Sequence, residues 1–401
     1  MTHPIRSAER RSATLIPFLG ALSAMGPLSN DLFVPSLPLV AEGLAASAGS
    51  VQLTMSAVLV GFAMGQLLYG PLSDRFGRKP LLCIGLAVFV AGCLLCANSA
   101  SLNGLVISRA LQGLGAAAGM VLSRAIILDR WRGNQASRAL SWVAAFSFMV
   151  PVLAPLAGGY LASLSHWQLV FWIQAGIGGL CLLAAVTLLT RVRHAQSGSS
   201  VVSSFAAYGR VLRDPEALAY MACIGFGFAG LIAFVSNSSF VFIWHFGLEP
   251  HQFGYCFAFV MLGGSLGSYV NGRLVTKLGI SRLLSAGTVL LVAAGMAALL
   301  ANLFVETPWA VLLPCLVYVF GIAFVLSNSI ARVLSRFPEM AGAASAVFGV
   351  NQFLIGALTA AALSLNERPS AVPLAGTLAV AGIGSAAVWW GWLQHRPTGL
   401  E

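Results

Sequence analysis

Asp31 lies inside the first long apolar run of the chain, in Pro27-Leu28-Ser29-Asn30-Asp31-Leu32-Phe33-Val34-Pro35, and no other acidic residue sits as deep in any apolar run. A carboxylate surrounded by hydrocarbon is costly, so it is retained where something must bind it. A proton or a cationic group is the natural partner. Arg109, in Arg109-x-x-Gln112-Gly113, is a base embedded in a second apolar run and needs a counter-charge or a hydrogen-bond network of its own. An acid and a base placed at one depth in a membrane are the parts of a proton-coupling device.

Those two residues need elements to hold them, and composition says what the elements are. Of 401 residues, 58% are hydrophobic and 8% charged, whereas a soluble chain carries roughly 25% charged residues. The deficit leaves a surface suited to lipid. The first apolar run, residues 13–40, is too long for the core of a cleavable signal peptide and reads as a retained span. The net charge of +10 raises the possibility of a nucleic-acid partner, but its placement argues against one. Apart from Arg109 and Arg368, the 22 Lys and Arg fall on or beside alternate inter-span segments, such as Arg6/Arg10/Arg11, Arg130/Arg132/Arg138, Arg191/Arg193/Arg210/Arg213 and Arg332/Arg336. The intervening segments hold Glu42, Glu249, Glu306 and Glu367. This positive-inside pattern predicts both termini in the cytoplasm.

A membrane crossing takes about 20 apolar residues. The predicted spans are 13–40, 51–73, 80–98, 102–128, 138–163, 167–190, 216–243, 251–275, 281–303, 308–331, 341–364 and 371–393. The fold class expected is therefore an all-α integral membrane protein of twelve transmembrane helices in two six-helix bundles. Residues 1–190 form the N-terminal bundle, 191–215 a polar cytoplasmic linker containing Gln196-Ser197-Gly198-Ser199-Ser200, and 216–401 the C-terminal bundle. The halves also repeat. With a shift of 202 residues, Gly70-Pro71-Leu72-Ser73-Asp74-Arg75-Phe76-Gly77 lies over Gly272-Arg273-Leu274-Val275-Thr276-Lys277-Leu278-Gly279, and only the first copy keeps its acid. Repeats of this kind place a site between them, reached alternately from either side as the halves rock. Counted inward at about 1.5 Å per residue, Asp31 lies about 13 Å and Arg109 about 10 Å from the outer ends of their spans.

The loop Gly70-x-x-x-Asp74-Arg75-x-Gly77-Arg78-Lys79 carries glycines for a tight turn, an acid able to cap a helix or pair with a base, and a basic cluster for the membrane face. Span five carries Pro151-x-x-x-Pro155-Leu156-Ala157-Gly158-Gly159, where the prolines can bend a helix and the small residues permit close packing. Together with Arg109-x-x-Gln112-Gly113, these segments resemble the major facilitator superfamily, and within it the twelve-span drug:proton antiporters of the multidrug and chloramphenicol-bicyclomycin resistance type. The resemblance implies that Gly70, Asp74, Arg75, Gly77, Arg78 and Lys79 latch the cytoplasmic gate when the cavity opens outward, with Asp129 beside them. It implies that Asp31 and Arg109 couple protons. It also implies that Pro151, Pro155, Gly158 and Gly159 form the motif associated with exporters, although Ala154 stands where the family has its first Gly.

The same resemblance, with depth, suggests a substrate pocket at Asn30, Asp31, Met55, Gln112, Phe146, Ser147, Leu231, Phe234, Val235 and Asn237. Met and aromatic side chains repack easily around varied apolar ligands. Related multidrug exporters carry a second acid two turns before the Asp, where this chain has Ser23; that argues against doubly charged cargo.

Several soluble-enzyme patterns are dismissed by context. Gly225-Phe226-Gly227-Phe228-Ala229-Gly230 matches a dinucleotide fingerprint and Gly263-Gly264-Ser265-Leu266-Gly267 a nucleophile elbow, but each lies within an apolar span with no strand before it. All seven Cys are in apolar stretches, so Cys93-x-x-Cys96 reads as packing. No metal set, cofactor or catalytic dyad is expected. The expected function is export of a small amphipathic drug or toxic compound in exchange for protons across a bacterial inner membrane, by a monomer whose partners are cargo, protons and lipid. The rival reading is export of a native metabolite; import is disfavoured by the span-five motif.

Overall fold

Backbone amides that water cannot reach must bond within their own segment, and helices satisfy that demand throughout this chain. A computed structural model describes residues 3–131, 133–164, 166–189, 201–366 and 370–394. Arg132, Arg191, Arg193, the Gln196–Ser200 stretch, Glu367 and Arg368 lie outside the described residues, as do the side chains of Arg6, Arg10 and Arg11. The helices are α1 (His3–Asp31), α2 (Leu37–Gly43), α3 (Ala48–Phe76), α4 (Arg78–Ala97), α5 (Leu102–Arg130), α6 (Gly133–Ala162), α7 (Gln168–Leu188) and α8 (Val201–Val211). They continue with α9 (Pro215–Ser239), α10 (Pro250–Leu278), α11 (Ile280–Phe304), α12 (Pro308–Arg336), α13 (Ala341–Leu363) and α14 (Ala371–Val388). Ten of the described helices are long and apolar enough to cross a membrane. The two other expected spans fall on α1 and α6, helical over 29 and 30 residues.

Helix ends follow local chemistry. Ser47 and Ser101 accept from the N–H groups of Ser50 and Gly104, each capping a first turn. Gly77 (φ +92°) and Gly279 (φ +79°) turn α3 into α4 and α10 into α11, at positions equivalent under the 202-residue repeat. A side chain there would strain a backbone in the left-handed region.

Two expectations need correction. Span one is not a continuous helix. It stops at Asp31, passes through a 3-10 turn (Val34–Ser36) and resumes as α2. Pro35 and Pro38 lack the N–H groups a continuing helix would use. The linker is also more than a polar gap, because it contains α8. Ala207, Tyr208 and Val211 of α8 are buried, and Tyr208 Oη donates to the Leu67 carbonyl of α3 at 3.1 Å.

Helices α1 and α3–α7 pack among themselves, as do α9–α14. Close approach depends on small residues: a Cβ on Gly115 would overlap the backbone of Phe89 in α4, and one on Gly113 the backbone of Val58 in α3. The two groups meet along α3–α13 and α6–α10. One end of the assembly carries Arg75, Arg78, Lys79, Arg130, Lys277 and Arg336; the other carries Glu42, Glu249 and Glu306. These are called the basic and acidic ends below.

Candidate functional site

The break in α1 places Asp31 at the last position of a helix, buried at 7% exposure. Asn30 Nδ2 donates weakly to its Oδ1 at 3.4 Å, and Asn30 Oδ1 itself has no partner among the described residues. No Lys, Arg or His nitrogen of the described residues comes within 4.0 Å of the carboxylate. Among the described residues, Asp31 is a buried acid held without a counter-ion.

Arg109 reaches the same level but does not pair with it. Its Nη1 donates to the Ser29 carbonyl at 2.9 Å and to Gln112 Oε1 at 2.6 Å. The guanidinium carbon lies 4.7 Å from the Phe33 ring centre and 5.8 Å from that of Phe171, within the range of cation–π attraction. Its Nε and Nη2 meet no acceptor among the described residues. Arg109 instead reaches the helix end that carries the acid: it holds the carbonyl two residues before Asp31.

Gln112, expected to touch cargo, has no exposed surface. Its Nε2 donates to Gln174 Oε1 at 2.6 Å and to Cys93 Sγ at 3.1 Å, which fixes it between α4, α5 and α7. Sequence reading missed Gln174 altogether. A Gln well inside an otherwise apolar span, about one and a half turns beyond Gln168 at its start, is the signal that could have found it.

The remaining pocket positions divide between the two bundles. Met55 is buried in α3. In α6, Phe146 is partly exposed and lies against Gly20 of α1. Ser147 Oγ donates to Ser23 Oγ at 3.1 Å, a neutral hydrogen bond at the position where the family resemblance leads one to expect a second acid. In α9, Leu231 is half-buried, Val235 buried, and Phe234 stacks on Phe257 at 5.2 Å. Asn237 accepts from Gln52 Nε2 at 3.1 Å, a bond that crosses between the bundles. That bond makes Asn237 part of a seal rather than an open surface. An apolar groove of about 680 Å³ opens beside the site between α1, α6 and α7, with Leu28 and Leu32 in its lining, and shares none of the expected pocket residues.

The seal extends toward the acidic end. Ser56 Oγ donates to the Ala357 carbonyl at 2.9 Å, Trp244 Nε1 to Glu42 at 3.3 Å, and the Tyr160 and Tyr255 hydroxyls hydrogen-bond. Gly159 and Gly254 bring α6 and α10 together: a Cβ on Gly159 would stand 2.5 Å from the Pro250 carbonyl oxygen, and one on Gly254 2.7 Å from that of Pro155. Gly158 faces the Leu32 carbonyl just past the break in α1. Pro151 and Pro155 lie inside α6 without interrupting it.

At the basic end, Arg78 pairs with Asp74 and Asp129, its Nε lying 2.9 Å from Asp129 Oδ2. Lys79 Nζ donates to the Val186 and Leu189 carbonyls, where a cation suits the exposed end of α7. Arg75 lies over the Phe76 ring at 5.3 Å, and a Cβ added at Gly70 would stand 4.0 Å from the Tyr208 hydroxyl. These contacts stay within the N-terminal bundle and α8. Among the described residues α5 and α12 form no packed interface, in contrast to the sealed acidic end.

Residues 19–361 match the family model of the Major Facilitator Superfamily. The chain is 32% identical to the uncharacterised MFS-type transporter YdgK of Bacillus subtilis (strain 168), covering 99% of both chains. It is 29% identical to the bicyclomycin resistance protein homolog of Haemophilus influenzae, covering 92% of this chain and 94% of that one. Among solved structures, a D-xylose-proton symporter superimposes with a TM-score of 0.78 at 16% identity, covering 95% of this chain and 97% of the other; that likeness concerns the fold.

Proposed function

Because the chain belongs to the Major Facilitator Superfamily, we propose that it exports a small amphipathic compound in exchange for protons, with Asp31 as the group that binds one or the other. It is a multi-pass membrane transporter rather than an enzyme. In this reading the twelve expected spans all cross the membrane, the two bundles rock about the site between them, and the basic end faces the cytoplasm of a bacterial inner membrane. The acidic end then forms the outer gate.

One observation carries the reading: Asp31 is buried at the end of an interrupted helix with no cation of the described residues in reach. Its negative charge in that setting is compensated by taking up a proton or by a bound cationic or hydrogen-bonding cargo. Discontinuous membrane helices serve transporters in this way. The two occupants exclude one another, so protons arriving from outside release cargo, and cargo arriving from inside releases protons. Arg109 keeps the broken end of α1 in place through the Ser29 carbonyl. The Ser23–Ser147 hydrogen bond supports cargo that is neutral or singly charged.

The test is efflux of bicyclomycin, chloramphenicol and a panel of amphipathic dyes from vesicles bearing an imposed pH gradient. Any compound moved by wild type should lose its dependence on the gradient in Asp31→Asn. Gradient-driven flux equal to wild type in that variant would sink the mechanism.

A further inference from the structure

Where α1 stops, one carbonyl loses its helical donor. The Phe33 N–H, which would close the next turn onto Ser29, donates instead to the Asn30 carbonyl at 3.1 Å. The Ser29 carbonyl is met from two other helices, by Arg109 Nη1 of α5 at 2.9 Å and by Gln174 Nε2 of α7 at 3.3 Å. Gln174 Nε2 also donates to the Leu28 carbonyl at 3.2 Å, and Gln174 Oε1 accepts from Gln112 Nε2 at 2.6 Å. Gln112 Oε1 accepts in turn from Arg109. The result is a closed ring of Arg109, Gln112, Gln174 and the Ser29 carbonyl, in which all three side chains have no exposed surface. Buried polar networks are stable when satisfied and costly when cut, so such a ring moves as a unit.

We propose that Gln174 is a positioning residue of the Asp31 centre: its amide ties the broken end of span one to Arg109 and Gln112, and so sets where the Asp31 carboxyl stands relative to the guanidinium. This inference rests on reading Asp31 as the proton-carrying group. Gln174 does not contact that carboxyl; it acts through the carbonyls of Leu28 and Ser29. Of the ionisable groups near this centre, Arg109 comes from α5, and Cys93 of α4 lies behind it against Gln112. Tyr69 of α3, Tyr160 of α6 and Cys181 of α7 lie further along their helices.

Gln174→Met keeps the length of the side chain and removes the amide. In full-length protein reconstituted in lipid discs, infrared spectroscopy over a pH series follows the carboxylic C=O band that Asp31→Asn abolishes. The midpoint of that band is expected to move by about half a pH unit or more in Gln174→Met, about a 3-fold change in proton affinity. In an Asp31→Asn background the same substitution should leave the carboxyl region unchanged. A purely packing role predicts a lower melting temperature with the midpoint of wild type, and that result overturns the proposal. Should Gln174→Met fail to fold, Gln112→Met opens the same ring from its other side and must move the midpoint likewise. Absence of any Asp31 band titrating in wild type counts against the proposed function itself. A band that titrates but ignores both ring substitutions counts against this inference alone.

Discussion

Replacing Gly159 by Ala should drive the two bundles apart at the acidic end. The added Cβ would stand 2.5 Å from the Pro250 carbonyl oxygen and 3.0 Å from the His251 Cα, where ordinary contact begins at 3.4 Å. Both obstacles are backbone, at the start of a helix that Glu249 and Gln252 lock with a capping box, so no side chain can swing aside. Overpacking of this kind costs about 1–3 kcal/mol. Here the strain exists only while α6 and α10 touch, and it is relieved when the bundles separate. The full cost therefore acts on the conformational equilibrium, shifting it about 5- to 150-fold toward the form open at the acidic end. Spin labels on Ala45 and Leu303, exposed positions on opposite bundles, report the change by pulsed electron paramagnetic resonance: the longer-distance population should grow at the expense of the shorter. Efflux should fall, because a transporter biased to one side returns slowly. A folded Gly159→Ala protein with the distance distribution of wild type would show that the α6–α10 contact does not set the equilibrium.

Two further expectations concern the basic end. Arg336 bridges Asp214 at 2.8 Å and Glu216 at 2.6 Å, and partly exposed pairs of this kind are worth about 0.5–1 kcal/mol each, so Arg336→Ala should lower the melting temperature by a few degrees. Partial burial pushes the Asp214 carboxyl up, but hydrogen bonds from Arg336 and the Ala217 N–H outweigh it and hold the group below its ordinary value of 3.8. Its stabilising contribution is therefore complete above that value and disappears as pH falls through the depressed one; thermal melts between pH 6 and about 2.5 should converge for wild type and Arg336→Ala at the acid end, and a constant gap would contradict the assignment. Burial, followed by the charge of Asp74, pushes the Tyr208 phenol up to about 12, so it stays a donor to the Leu67 carbonyl at neutral pH. Tyr208→Phe should cost about 1 kcal/mol and speed proteolysis of the linker, while cleavage at the wild-type rate would mean that this bond does not hold α8 in place.

The interruption of span one shows how a membrane site can be assembled from weak local preferences. Past Asp31 the chain tightens into a 3-10 turn, the Phe33 N–H turns to the Asn30 carbonyl, and the orphaned Ser29 carbonyl is satisfied from outside. The groups that satisfy it come from α5 and α7, far away in sequence. The residues that mend the break thereby hold the helix end that carries the acid. Helix termination and charge placement are one structural event here.

Much of this protein could be read from its residues. The apolar runs, the alternating basic segments and the 202-residue repeat led to helices in two bundles, and the paired glycines at 77 and 279 do turn the chain at equivalent points. The basic loop likewise contained its own pairing, since Asp74 and Arg78 flank the turn at Gly77 only four residues apart. Such features are local: they depend on periodicity, hydrophobicity and short-range sterics, which the order of residues carries directly. Four features were settled only in three dimensions, namely which helix end Arg109 caps, that Gln112 and Gln174 join it, that Asn237 bonds Gln52, and that Ser23 bonds Ser147. Depth along a span could place Asp31 and Arg109 at one level, but it says nothing about rotation around the helix axis. Rotation is fixed by how neighbouring helices interlock, and it decides whether a buried donor meets a carboxylate, a carbonyl or an aromatic face.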